Sequence, residues 1–384
     1  MANTHPVVLV HGILGWGPNE LGGFPYWGAA PVVSSVLTRY VASVGPLGSA
    51  HDRACELAAQ IKGVRVDYGL QHATAEGHAQ FGIDFSRTPG FVPDWSHDRP
   101  VHLVGHSLGS PTIRCLQHLL AIDYWGWGSN ADWVASITTI SGVSNGTTAT
   151  YFFGTNEATG LIDSPSVAEA LFAMIELYGL ATGGLFDGIY DFDLAYWGLV
   201  RRPGQSLHNF LHQVAASKFL RGKDNANYSL TLQGALADNK VWQTHPNTHY
   251  FSYVTEQTTP RLFGRGYRPD LMMNPALQPL AGYIGTKQFA TPPIPLADFD
   301  SANWWENDGL VPIYSQLYPH TGGHHPVGGK ITAETPPGSF NKGHWYYQWV
   351  HDIDHLDICF ARQWNQKGWQ TRFYTDLFAR LAAL

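Results

Sequence analysis

The sequence predicts an α/β fold: a mostly parallel central sheet flanked by helices, interrupted by a helical insertion and a smaller excursion. Three observations predict it. Pro6-Val7-Val8-Leu9-Val10 is an unbroken apolar run, as expected of a strand covered on both faces in a parallel sheet. Val101-His102-Leu103-Val104 is a second strand, followed by a turn and a helix. In that helix Ile113, Leu116 and Leu120 recur at helical spacing after Pro111, a residue suited to a first helical turn. Residues 134–140 are a third apolar strand and close a strand, helix, strand unit of the kind that builds parallel sheets.

The remaining elements are read in chain order. A loop rich in glycine and aromatics runs to Gly28, and residues 32–44 read as a helix. Residues 52–61 read as a second helix, with Ala54, Leu57, Ala58 and Ile61 on one side. From 63 to 87 the chain is polar and histidine-rich, which suits an excursion from the main fold better than a core layer. A long, mostly helical insertion precedes a strand at 250–254. In it Ser164-Pro165 is a helix start, followed by an apolar stripe of Val167, Leu171, Met174, Ile175 and Tyr178. A further helix is expected over 206–220. Residues 260–342, rich in proline, glycine and aromatics, read as long loops carrying parts of a site, and 369–384 as a closing helix. The organisation expected is one domain over 1–384, with an excursion at 52–87 and a helical insertion at 144–249.

Composition limits what the chain can do. With 384 residues, 44% of them hydrophobic, it can bury a substantial core. A net charge of −7 without a basic block argues against nucleic acid as a partner. No apolar run is long enough to cross a bilayer. The chain enters a strand almost at once, so a secretory signal is expected to be absent or already removed. Cys55, Cys115 and Cys359 allow at most one disulfide, and their apolar contexts favour buried free thiols.

The chemistry centres on Gly105-His106-Ser107-Leu108-Gly109. A strand that reverses into a helix crowds the positions two before and two after its apex, so both must be small, and Ser107 is lifted as a nucleophile. A serine needs a base, and the base an orienting acid, in the chain order serine, acid, histidine. Asp308, in the turn Glu306-Asn307-Asp308-Gly309, is the expected acid. For the base His320, His324, His325, His344, His351 and His355 all lie downstream; His355 is preferred because Asp354-His355-Leu356 precedes the final helix. The oxyanion hole would use the backbone N–H groups of Ile13 and Leu108. Asp52, His72, His78 and Asp224 form a possible tetrahedral zinc set, although in a chain of 19 histidines His72 and His78 could equally be solvated.

These residues, together with Gly15-Trp16-Gly17, Tyr26-Trp27-Gly28, Val44-Gly45-Pro46-Leu47, Asp52-Arg53-Ala54-Cys55-Glu56, Val66-Asp67-Tyr68-Gly69, the stretch 72–81, Tyr190-Asp191-Phe192, Trp197-Gly198-Leu199, Arg202 with Gly204, Glu306-Asn307-Asp308-Gly309 and Asp354-His355-Leu356, resemble the zinc-containing bacterial lipases of thermophilic bacilli and staphylococci, lipase family I.5. The resemblance spans nearly the whole chain and implies the α/β-hydrolase fold. By position it implies a catalytic Ser107, Asp308 and His355 and a structural zinc on Asp52, His72, His78 and Asp224. It departs at Gly105, where the family usually has alanine, and at Leu108, where it has glutamine. Of the family's calcium site one acid persists as Asp357, while the second acid and the proline after it have no counterpart in 358–363, so bound calcium is not expected.

The function implied is a secreted triacylglycerol lipase working through an acyl-enzyme on Ser107 at an oil–water interface, with the insertion as lid. A core-facing amphipathic helix is the other reading of the stripe from Val167 to Tyr178. Three further readings stay open: an esterase or polyesterase with the same chemistry, a binding module on a disabled hydrolase fold, and a zinc hydrolase.

Overall fold

The computed structural model describes residues 3–162, 172, 175, 191–336, 338–359 and 367–384. Seven parallel strands form the central sheet. In chain order they are β1 (Val7–Val10), β2 (Arg39–Ala42), β5 (Val101–His106), β6 (Val134–Ile140), β7 (His249–Glu256), β10 (Val327–Lys330) and β11 (Trp345–His351), arranged β10-β11-β7-β6-β5-β1-β2. Two short antiparallel pairs lie outside it: β3 (Arg65–Asp67) with β4 (Phe81–Asp84), and β8 (Thr258–Pro260) with β9 (Tyr267–Pro269).

The apolar runs behave as parallel-sheet strands should. All four β1 residues are fully buried, and alternate ones serve opposite layers: Val7 and Leu9 pack with Tyr374, Leu377 and Phe378 of the closing helix Lys367–Ala382, Val8 and Val10 with the two helices on the other face. Those are α1 (Ala50–Lys62), which supplies Ala54, Leu57 and Ile61, and α3 (Gly109–Ala121), which supplies Ile113, Leu116 and Leu120. The three cysteines are free and buried.

The helix expected over 32–44 does not form. Its β-branched residues instead enter turns and β2, which pairs with β1 in the register Val7↔Arg39 to Val10↔Ala42. The helix expected over 206–220 is divided at Ser217 into Leu207–Ala216 and Lys218–Arg221. The excursion at 63–87 contains β3, α2 (Leu70–Glu76) and β4, and it contributes Val66 and Tyr68 to the core layer beneath α1, contrary to the polar reading. The stretch 260–342 holds β8 in part, β9, β10 and the helix Gln278–Ile284, so it is less irregular than its composition suggests. Val167, Leu171, Met174 and Tyr178 of the expected lid stripe lie outside the described residues; Ile175 is helical and, with Phe172, packs on the main core cluster.

Burying histidines in the sheet has a thermodynamic consequence. His102 on β5 is held between Ser136 Oγ (2.8 Å from Nδ1) and Asn3 Oδ1 (3.1 Å from Nε2), and burial lowers its pKa to about 3. His11 is likewise lowered to about 3 by burial and by Arg53 beside it. Both stay neutral in the fold while the unfolded chain protonates them below about pH 6.5. Stability therefore falls as pH drops from 6.5 toward 3, by up to roughly 1.4 kcal/mol per pH unit for each. Urea titrations at pH 7, 6 and 5 should show this slope, and His102→Gln, which keeps one donor and one acceptor, should flatten it. An unchanged slope in the variant would refute the assignment.

Candidate active site and metal centre

Ser107 follows the last residue of β5 with φ +54, a left-handed conformation that costs a side chain free energy and turns it out of the strand direction. Its own N–H donates to Ile140 O of β6 (3.0 Å). The small-residue requirement is met in atomic terms. A Cβ on Gly105 would stand 2.4 Å from Gly109 O, and one on Gly109 would stand 2.2 Å from Val10 O. Gly12, in the loop after β1, approaches Ser107 so closely that a Cβ there would meet Ser107 Cβ at 2.7 Å.

The structure brings Asp308 and His355 together. His355 Nδ1 lies 2.8 Å from Asp308 Oδ2, both side chains are fully buried, and the His355 N–H donates to Asp308 O (2.9 Å). Asp308 Oδ1 accepts the N–H groups of Leu310 (3.0 Å) and Val311 (2.8 Å), so the turn anticipated around Gly309 holds the carboxylate by its own backbone. Oδ2 also accepts from Thr255 Oγ1 (2.8 Å) and Gln316 Nε2 (3.1 Å). So many donors fix the direction of the carboxylate. With Nδ1–H donated to Asp308, His355 Nε2 is the acceptor nitrogen, and it has no hydrogen-bond partner among the described residues.

A second network, not anticipated from the sequence, joins this pair to the nucleophile turn. The Gly12 N–H donates to Tyr26 Oη (2.8 Å), Tyr26 Oη–H to His106 Nδ1 (2.6 Å) and His106 Nε2–H to His355 O (3.0 Å). Burial, with His355 close by, keeps His106 far below the usual imidazole range and therefore neutral, as the two-sided bonding requires. The polar residues Thr255 and Gln316 were also missed; the available signal was a threonine at the carboxyl end of a strand, where sites in parallel sheets gather.

Neither Ile13 N–H nor Leu108 N–H has an acceptor among the described residues. Both residues lie at the serine, and Ile13 lines a pocket with Ser107, Val143, Phe153, Leu230 and Val311. The pocket is apolar along most of its wall. Of the other histidines considered as base, His320 bonds to Asn145 Nδ2 and His325 to Thr244, while His324 and His351 are exposed.

The four metal-ligand candidates also converge. Asp52 is in the first turn of α1, capped by Ser49; His72 is on α2, His78 follows α2 after Gly77, and Asp224 precedes the helix Ala226–Leu230. One ligand atom from each lies within 4.8 Å of all the others. His72 Nε2 is 3.1 Å from Asp52 Oδ1 and 3.3 Å from Asp224 Oδ2, and His78 Nε2 is 3.9 Å and 3.3 Å from the same atoms. Ligands about 2.0–2.1 Å from a tetrahedral ion stand roughly 3.3 Å apart, so the set fits one. Asp52 Oδ2 is buried without a hydrogen-bond partner among the described residues, and His78 Nδ1 donates to Ala79 O (2.9 Å), leaving Nε2 as the ligand nitrogen. Burial opposes charge on His72, yet hydrogen bonds to Asp224 and Asp52 outweigh it and raise its pKa to about 10. The cluster thus favours positive charge at its centre. Asp357 is buried, and residues 360–363 of the calcium comparison lie outside the described residues.

Lipase 1 of Staphylococcus aureus is 33% identical over 383 residues, covering 93% of this chain and 51% of the relative, so the chain spans about half the length of the curated relatives it matches. EstA from Clostridium botulinum superposes with a TM-score of 0.80 at 31% identity, covering 100% of this chain and 88% of that one. Lipase 1 from Pelosinus fermentans gives 0.77 at 31% identity, covering 98% of both. The family described as "Lipase-like, C-terminal domain" matches residues 3–381, and the chain belongs to it.

Proposed function

We propose that the chain is a serine carboxylester hydrolase, a triacylglycerol lipase, with Ser107 as nucleophile, His355 as base and Asp308 as the acid that orients it. The observation that carries this is the buried His355–Asp308 bond, which leaves Nε2 as an unpartnered acceptor beside the turn that presents Ser107. Ser107 Oγ attacks the ester carbonyl carbon while His355 Nε2 takes its proton, and Asp308 stabilises the imidazolium. Charge on the carbonyl oxygen is met by the N–H groups of Ile13 and Leu108. Collapse breaks the ester bond, and His355 returns the proton to the leaving alcohol. Water, deprotonated by the same nitrogen, then attacks the acyl carbon; the Ser107 Oγ–acyl bond breaks, His355 returns the proton to Ser107 Oγ, and the fatty acid leaves.

Zinc is the ion that suits Asp52, His72, His78 and Asp224: two imidazoles and two carboxylates in a closed set with no position left for water, which makes the site structural. When bound it would tie the 52–87 excursion to Asp224, just past the helical stretch 207–221 within the 144–249 insertion that we read as the lid. The same family reading implies work outside the cell.

Fatty-acid release from an emulsified long-chain triglyceride, run beside a soluble short-chain ester, tests the assignment. Activity on both is expected, with the specific rate rising once an emulsion forms. Activity confined to the soluble ester would remove the lipase reading and leave an esterase or polyesterase.

A further inference from the structure

The β8–β9 hairpin and the residues after it carry an exposed apolar cluster that the catalytic reading does not use. Leu262, Phe263, Leu271 and Met272 are 83%, 91%, 90% and 72% exposed. Single exposed apolar side chains are ordinary on a protein surface, but two pairs within 262–272, one at the hairpin tip and one just past its root, are not. Residues 261–266 close the tip, where Arg261 N–H donates to Gly266 O (3.0 Å) and Gly264 and Gly266 take φ +80 and +107. The tip is therefore a formed turn that presents Leu262 and Phe263 to solvent.

The roots of this hairpin fix where the patch points. Gln257 N–H donates to Asn307 O (3.2 Å) and Asn307 N–H to Thr258 Oγ1 (3.0 Å), so the incoming leg is bonded to the neighbour of Asp308. The outgoing leg passes through Asp270, whose N–H donates to Gln257 O (3.1 Å), to buried Met273 and to Asn274, whose N–H donates to Asp354 Oδ2 (2.7 Å) beside His355. All seven sheet strands are parallel and their carboxyl ends carry the catalytic candidates. The hairpin rises from that same end.

Charge selects the partner. Within 261–272 Arg261, Arg265 and Arg268 outnumber the one acid of the segment, Asp270, in a chain whose net charge is −7, while Glu306, bonded to Tyr267, and Glu256 sit at the root of the hairpin. Arg265 lies over the Trp305 ring, 5.3 Å from its centroid, which keeps a cation at the base of the apolar tip. Apolar tips flanked by arginine enter the boundary of a lipid layer while the guanidinium groups stay at the anionic headgroups.

We propose that residues 261–272 form an interfacial anchor for an anionic lipid surface, which sets the catalytic face against the lipid. It rests on the lipase reading for its use, though not for its detection. A triglyceride surface gains this charge as hydrolysis proceeds, because each fatty acid released there brings a carboxylate.

The test is partitioning of the full chain onto phosphatidylcholine vesicles with and without phosphatidylglycerol, alongside the rate on a soluble short-chain ester. The parent should bind the phosphatidylglycerol vesicles more. The variant L262S/F263S/L271S/M272S should lose binding by about tenfold or more while its soluble-ester rate stays within about twofold. R261Q/R268Q should reduce binding on phosphatidylglycerol to the level on phosphatidylcholine alone. A parent that binds neither vesicle, or a serine variant that binds like the parent, overturns the anchor; an arginine variant that keeps the phosphatidylglycerol preference overturns the anionic assignment. Should the serine variant fail to fold, the arginine variant decides alone. A parent without esterase activity would refute the enzyme reading and leave the vesicle result to stand or fall by itself.

Discussion

Ser107→Ala is expected to reduce hydrolysis of both emulsified and soluble esters by about 10⁴-fold or more, almost all of it in kcat. The reason is local. In the proposed mechanism Ser107 Oγ forms the acyl bond, and the His355–Asp308 pair has no other proton to take in that step. Alanine keeps the Cβ and inherits the same φ +54, so the turn, the Gly12 approach and the Ile140 bond survive, and the fold should be unaffected. A small residual rate over water is expected from the oxyanion donors and the apolar pocket. Measured kcat and KM on a soluble ester, with circular dichroism as the fold control, check it. A variant that retains a tenth of the parental rate would mean that another residue is the nucleophile.

Asp224→Ala should empty the metal centre. Removing one of two carboxylates leaves two imidazoles and Asp52 to hold the ion, and the excursion then loses its link to the insertion just past the helical stretch 207–221. Metal content by mass spectrometry should fall from about one ion per chain to near zero, and the thermal midpoint by roughly 5–10 °C. Chelated parent should melt like the variant, and the variant should no longer respond to chelator. Activity on a soluble ester in the cold should survive, because no hydrogen bond of the Asp308–His355 pair passes through the four ligands. A variant with its metal and its midpoint intact would refute both the ligand set and its tethering role.

How far the sequence discloses this molecule depends on what kind of contact defines each part. β1, β5, β6 and β7 were legible because strands buried on both faces must be continuously apolar. β2 was not: it lies at the sheet edge, half-buried, and the valines around it mimic helical spacing. β11 was passed over because Trp345 to His351 mixes aromatics with Gln348 inside a stretch otherwise rich in turns, although its aromatic content is a strand signal. Ser107 could be read locally because a nucleophile turn is a contiguous motif with steric requirements at Gly105 and Gly109. Asp308 and His355 are read from chain order and local context and carried further by family resemblance, and the metal set, whose ligands are far apart in sequence, is set above solvated histidines only by that resemblance. Thr255, Gln316, Tyr26 and His106 were invisible as site residues. Their role is to donate or relay hydrogen bonds in a geometry that only the packed sheet ends create.

The most direct measurement is the reaction of the protein with an alkyl p-nitrophenyl phosphonate, followed by proteolysis and peptide mass spectrometry. The account predicts one phosphonyl group per chain, on Ser107, with release of one equivalent of p-nitrophenolate, and loss of that labelling in His355→Gln. Ester hydrolysis by a chain that takes no label, or that is labelled at another residue, would contradict it.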